Sequence, residues 1–148
     1  MNAKEPGVSY PDKLQHIKAN LKTLTKAQPA TLAAFSQLHH TATTQGVLDT
    51  KTKELIALSI AVALRCDGCI TFHAHDALSA GASEAEINEA LGVAILMGGG
   101  PSVVYATHVV EAVAQFKTEK EVDNRASRGN TAEAAHASAY VGSDYHFD

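Results

Sequence analysis

The chain has 148 residues, of which 45% are hydrophobic but only 5% aromatic, and it contains no tryptophan. A chain of this length can bury a core without disulfide or metal cross-links, which predicts a single domain. Its net charge of −4 and pI near 6.0 argue against nucleic-acid binding, and no apolar run reaches the roughly 18 residues of a membrane span.

The hydrophobic pattern predicts an all-α chain of six helices, preceded by a polar lead-in over residues 1–10. The first helix opens at Pro11, and its apolar residues recur at steps of three and four, at Leu14, Ile17, Leu21 and Leu24. The second opens at Pro29, and its apolar stripe is formed by Leu32, Phe35 and Leu38. The third, over residues 50–65 with Asp49 as N-cap, is apolar on nearly all sides from Leu55 to Leu64. Such a helix is typically buried in a bundle or at a subunit contact.

Three further helices follow in the second half of the chain. The fourth is expected from about Cys69 to Ala80, with Gly81 ending it. Ser83 and Glu86 have the spacing of a capping box at the start of the fifth helix. The inward residues expected for the fifth helix are Ile87, Leu91, Ala94 and Ile95. Those expected for the sixth are Val103, Ala106, Val110, Val113 and Phe116.

The C-terminal residues 119–148 are polar and poor in leucine and isoleucine. Alone, they could not bury enough apolar area to offset the entropy of ordering them. We expect this tail to lie on the bundle or on a neighbouring subunit, anchored by Tyr140, Tyr145 and Phe147. The expected organisation is therefore a lead-in (1–10), a helical domain (11–118) and a polar C-terminal tail (119–148). Because the first residues are too polar for a signal peptide, we expect a cytoplasmic protein.

The two cysteines of the chain lie in Cys66-Asp-Gly-Cys69, and His73 follows one helical turn later. In the cytosol, a Cys-x-x-Cys pair is more typical of redox or metal chemistry than of a structural disulfide. Cys69 falls in the first turn of a predicted helix, where free backbone N–H groups favour a thiolate, and His73 projects from the same face. The order of attack is left open by the sequence, which favours Cys69 as the activated thiol and Cys66 as the resolving one.

A zinc site is an alternative use of the same residues. Cys66, Cys69 and His73 would be joined by His75 or His108. No second Cys-x-x-Cys or His-x-x-x-His cluster supplies the remaining ligands, so the pattern favours redox chemistry. Two buried thiols that act only as small apolar groups are the remaining interpretation.

Five other aromatic or imidazole side chains are assigned packing or surface roles. His75 lies two residues beyond the motif histidine, so on a helix it points elsewhere, and we expect it at a surface or interface. Tyr105 and His108 are one turn apart on the sixth helix; lining a pocket is one interpretation, and packing there is the favoured one. His39 and His40 show no partner pattern and are expected to face solvent.

The segment from Glu54 to His75, ELIALSIAVALRCDGCITFHAH, and the later GASEAEI starting at Gly81 resemble the AhpD-like alkylhydroperoxidases of the carboxymuconolactone decarboxylase superfamily. The glutamate, both cysteines and the histidine fall at the family's spacing, and the resemblance covers about residues 30–116. It implies a six-helix AhpD-like bundle that assembles as a homotrimer or homohexamer. It also implies peroxide reduction through a Cys66–Cys69 disulfide, without metal, flavin or haem. A thiol donor, such as a lipoylated or thioredoxin-like protein, would recharge the dithiol.

In the family, the glutamate that matches Glu54 joins the histidine that matches His73 in a proton relay. Glu54 precedes Cys66 by twelve positions, about 18 Å of rise in an unbroken helix. A relay here therefore requires a broken helix, or a contact made by the fold or by another subunit.

Two features bear on the activity that this resemblance implies. Gly68 stands where the best-known peroxidase of the family has a histidine between its cysteines. The superfamily also contains decarboxylases that act on a lactone acid, and these generally lack the dithiol. A decarboxylase-like enzyme acting on a small organic acid is therefore the alternative to the oxidoreductase.

Overall fold

The computed structural model describes residue 7 and residues 9–130, and over these residues it is all-α. The six helices are α1 (Tyr10–Ala27), α2 (Pro29–Thr43), α3 (Thr50–Ala63), α4 (Asp67–Ser79), α5 (Glu84–Gly98) and α6 (Gly100–Asn130). The predicted fold class and number of helices are confirmed. The predicted anchors Tyr140, Tyr145 and Phe147 lie outside the described residues. Within them, no helix is long and apolar enough to cross a membrane.

The helix boundaries follow the capping signals of the sequence. The side chain of Asp49 accepts a hydrogen bond from the Thr52 N–H at 2.7 Å. Both hydrogen bonds of the Ser83–Glu86 capping box are present at the start of α5. After α4, Gly81 takes φ 91°, a left-handed conformation that commonly ends helices. These local predictions are confirmed because each depends on residues close together in the sequence.

The core lies between the last four helices, with α1 covering one side. The helix α3 packs against α4 and α5, and α6 packs against the same two helices. The largest apolar side chains that are fully enclosed are Phe116, Leu58, Ile70, Ile87, Val62 and Val109. The core therefore joins α3 and α4, which are the helices that carry the motif residues.

The sixth helix differs from its prediction in face and length. Its buried residues include Ala106, Val109, Val113 and Phe116, which recur at steps of three and four. The expectation that Val103 and Val110 point inward is wrong, because these two side chains lie off that face and are 49% and 52% exposed. The helix also continues to Asn130, so the start of the predicted tail is helical.

The second helix has no buried residue, and its partly buried positions are Leu32, Ser36, His39 and Thr43. Their spacing of four, three and four defines the face turned toward the bundle. Phe35 and Leu38, which the sequence placed in the apolar stripe of this helix, are 52% and 64% exposed. The inward face of α2 is thus mostly polar.

Other helices also leave apolar side chains on the outside of the monomer. The exposed ones of α3 and its C-cap residue, α5 and the first half of α6 are Ile56, Ile60, Leu64, Val93, Leu96, Met97, Val103, Val104 and Val110. The helix α3, expected to be enclosed on nearly all sides, is therefore buried on one face only within a single chain. An apolar surface of this kind typically marks a site of protein–protein contact.

Candidate active site

A tight turn between α3 and α4 positions the Cys-x-x-Cys motif. Arg65 has φ 59°, and the N–H groups of Arg65 and Cys66 donate to the carbonyls of Val62 and Ala61 at 3.1 and 3.0 Å. This double hydrogen bond around a left-handed residue ends many helices. It stops α3 at Ala63, so that Cys66 directly precedes α4.

Cys66 is the N-cap of α4, which begins at Asp67 and not near Cys69 as predicted. The Cys66 sulfur accepts a hydrogen bond from the Cys69 N–H, with an S···N distance of 3.2 Å. Unpaired N–H groups at a helix start favour negative charge. In this structure the helix start therefore stabilises a thiolate at Cys66, whereas Cys69 lies inside the first turn and packs against the core.

The two cysteines are joined by a disulfide, and their Cα atoms are 5.2 Å apart. This separation lies within the range that a disulfide bridges without backbone movement. Both residues are partly buried, so neither is sealed in the core. The pair is therefore placed for a dithiol–disulfide exchange within one helical turn.

Glu54 on α3 and His73 on α4 form a hydrogen-bonded pair. The Glu54 Oε2 and His73 Nδ1 atoms are 2.8 Å apart, and the two side chains are 2% and 16% exposed. The turn over residues 64–66 folds α4 back onto α3, which brings together residues that are far apart along the chain. The contact that a relay requires is thus made by the fold of one chain.

His39 is the third member of this group, and the prediction that it faces solvent is wrong. Its ring stacks on the His73 ring, with centroids 6.2 Å apart and an interplanar angle of 24°. Burial lowers the pKa of His39, while the Glu54 carboxylate acts in the opposite direction. The net shift favours the neutral imidazole. The sequence carried no clear signal for this face, because Ser36, His39 and Thr43 are polar and the apolar Phe35 and Leu38 lie on another face.

The remaining histidines considered for a zinc site are paired with different carboxylates. His108 Nδ1 lies 2.7 Å from Asp67 Oδ1, and His75 Nδ1 lies 2.8 Å from Asp76 Oδ1. The Tyr105 ring packs against His108, with centroids 4.9 Å apart. The packing expected for Tyr105 and His108 on the sixth helix thus corresponds to a contact between their two rings. In the described part of the chain, neither cysteine belongs to a group of three side chains placed to hold one metal ion.

The sequence matches the model of the carboxymuconolactone decarboxylase family over residues 29–112. This range runs from the start of α2 into α6 and includes every residue of the candidate site. An uncharacterized protein of Cupriavidus necator is 39% identical over 104 residues, which cover 70% of this chain and 89% of that protein. The match therefore includes most of the relative's length.

Two crystal structures share the helical core. A carboxymuconolactone decarboxylase family protein from Legionella pneumophila is 42% identical with a TM-score of 0.70, and the match covers 72% of this chain and 96% of that one. A family member from Thermotoga maritima, suggested to take part in an antioxidative response, is 29% identical with a TM-score of 0.69. That match covers 75% of this chain and 95% of the other.

Proposed function

The chain belongs to the carboxymuconolactone decarboxylase family, and from this premise and the geometry of its site we propose that it is a thiol-dependent peroxidase. The observation that supports the proposal best is a vicinal cysteine pair joined by a disulfide, on the same helix as an imidazole paired with a buried carboxylate. A decarboxylase would need no such dithiol. The antioxidative response suggested for the Thermotoga maritima relative points in the same direction.

The reaction that we propose transfers two electrons from the dithiol to the peroxide. The Cys69 thiolate attacks one peroxide oxygen and breaks the O–O bond. An alkoxide departs, takes up a proton and leaves as the alcohol, while Cys69 becomes a sulfenic acid. The Cys66 thiol then loses its proton, and the resulting thiolate attacks the Cys69 sulfur to form the disulfide. The displaced hydroxide takes up that proton and leaves as water. The hydrogen bond from the Cys69 N–H would stabilise the Cys66 thiolate for this second step.

His73 is the proposed proton carrier. It lies four residues after Cys69 in α4, so the two side chains are neighbours on the helix surface. The imidazole would take the Cys69 proton and return it to the departing alkoxide. Glu54, 2.8 Å from the ring Nδ1, would hold the imidazole in place and stabilise its charged form.

The disulfide would be recharged by a thiol donor, for which a lipoylated or thioredoxin-like protein of the cytosol is our candidate. Thiol–disulfide exchange requires the attacking thiolate to reach a sulfur atom. Cys66 and Cys69 are only partly buried, which supports access by an external dithiol. A small dithiol reductant should therefore replace the protein donor in vitro.

We also propose that the chain forms a homotrimer or homohexamer. The support is the exposed apolar surface, which includes Phe35 and Leu38 on α2 and Leu96 and Met97 on α5. A second copy of the chain would remove these side chains from water. Sedimentation analysis should show an assembly for the wild type and smaller species for Leu96→Glu. A monomeric wild type would contradict this part of the proposal.

Thiol counting and peroxide turnover test the redox assignment. The reduced protein should lose two free thiols on stoichiometric peroxide, and a dithiol should restore them. Cys69→Ser should abolish turnover, and His73→Asn should slow it by about 10²–10⁴, the usual contribution of a general acid–base group. His75→Asn is the matched control, because His75 lies on the same helix with its own carboxylate. Peroxide turnover that survives both Cys66→Ser and Cys69→Ser would refute the proposal. Decarboxylation of a small organic acid that survives Cys69→Ser would favour the alternative, a decarboxylase-like enzyme.

A further inference from the structure

His39 has no part in the peroxidase mechanism above, although it lies beside the proposed relay. Its imidazole, the His73 imidazole and the Glu54 carboxylate each offer one ligand atom, and these atoms all lie within 4.8 Å of one another. The three side chains come from three different helices, α2, α3 and α4. From this geometry we infer that His39, Glu54 and His73 bind one divalent metal ion of the zinc class.

The donor set selects the class of metal. Two imidazole nitrogens and one carboxylate oxygen suit zinc and its transition-metal neighbours, whereas magnesium and calcium prefer oxygen ligands. With metal–ligand bonds of about 2.1 Å, neighbouring ligand atoms of a tetrahedral zinc ion lie about 3.4 Å apart. The structure holds the ligand atoms within 4.8 Å of one another, so the widest separation needs to close by at most about 1.4 Å. Three protein ligands leave the fourth position of a tetrahedral ion to water.

The surroundings also suit a cation. Glu54 is 2% exposed, and a carboxylate taken out of water requires a positive partner. Its present partner is the His73 ring, with the His39 ring stacked behind it. A bound ion would connect α2, which has no buried residue of its own, to α3 and α4. The unfolding midpoint should therefore rise when metal binds.

Occupancy of this site has a consequence for the activity. An ion bound to Glu54 and His73 would take the place of the proton that the pair is proposed to carry, so zinc would reversibly inhibit peroxide turnover. This consequence rests on the proposed function, whereas metal binding does not.

Cobalt titration of the oxidised protein tests the binding, because the disulfide removes both cysteines as ligands. We expect one Co²⁺ per chain by calorimetry and by visible absorbance, with displacement by Zn²⁺. His39→Asn should raise the Kd by at least about 100-fold, since loss of an outer-shell partner alone costs 10–100-fold. His40→Asn is the matched control, because this exposed neighbour lies on the same helix and should leave the Kd unchanged. Circular dichroism checks that both variants fold.

Equal Co²⁺ affinity of the wild type and His39→Asn would overturn the inference. Binding that appears only after reduction, with thiolate-to-cobalt absorbance, would also overturn it and assign the ion to the cysteines. Turnover measured with saturating Zn²⁺, and again after a chelator, tests the inhibition separately. If Co²⁺ binds as expected but no peroxide is turned over without metal, the proposed function fails and the metal site stands.

Discussion

Loss of the His73 imidazole is expected to be among the most destabilising single changes in this protein. His73→Leu leaves the Glu54 carboxylate, 2% exposed, without the partner that lies 2.8 Å away. An uncompensated buried charge typically costs about 3–5 kcal/mol. Glu54→Gln removes the charge and keeps a polar side chain of the same length. Its expected cost is about 1.5–3 kcal/mol, that of a hydrogen bond to a charged group.

The double variant separates the pair interaction from the two single effects. Once Glu54 is glutamine, His73→Leu no longer strands a charge in the core. The double variant should therefore cost less than the sum of the single variants, by about 1–3 kcal/mol for groups in direct contact. A domain of this size is stable by about 5–15 kcal/mol, so this difference is measurable.

Urea unfolding followed by far-UV circular dichroism provides the measurement, with all variants oxidised and at one protein concentration. The control is His75→Leu, because the His75–Asp76 pair has the same 2.8 Å separation but its imidazole is 31% exposed. Its expected cost is about 1 kcal/mol or less. The reasoning is refuted if the Glu54 and His73 effects add within about 0.5 kcal/mol, or if His73→Leu costs no more than the control.

Three further predictions concern a glycine, a carboxyl group and a phenol. Gly81→Ala should lower the free energy of unfolding by about 1 kcal/mol, because φ is 91° there. Gly92→Ala, inside α5 with open space around it, should raise the free energy of unfolding by up to about 1 kcal/mol. Urea unfolding of both variants is the test, and the two changes in this free energy should have opposite signs. The hydrogen bond from Lys51 lowers the pKa of Glu86 to about 2 from 4.5. This contribution to stability is present above pH 4.5 and lost as the pH falls toward 2. In Glu86→Gln the free energy of unfolding should therefore fall less over that pH range than in the wild type. Burial raises the pKa of Tyr10 to about 12 from 10.0. The free energy of unfolding should therefore fall as the pH rises between these values. In an ultraviolet titration, Tyr10→Phe should lack the one tyrosine that ionises at the highest pH.

Much of the fold was predictable because its signals are local. Asp49, the Ser83–Glu86 box and Gly81 each act within a few residues, and the structure confirms them. The prediction that Val103 and Val110 point inward was wrong because both valines are apolar but lie off the inward face of α6. Hydrophobicity alone does not distinguish a side chain that faces the core from one on the outer surface of a monomer.

The sequence by itself determined the all-α class and the main helix starts, which follow from spacing along one chain. It also indicated Cys66, Cys69 and His73 as candidate site residues, and the resemblance to a known family added Glu54. Only the tertiary structure decided which groups meet. The left-handed turn at Arg65 makes Cys66 the cap of α4 and folds this helix back, so that His73 reaches Glu54. The packing of α2 then brings His39 to the same place. Contacts between helices depend on crossing geometry and on which face is buried, and neither is encoded in the spacing of residues within one helix.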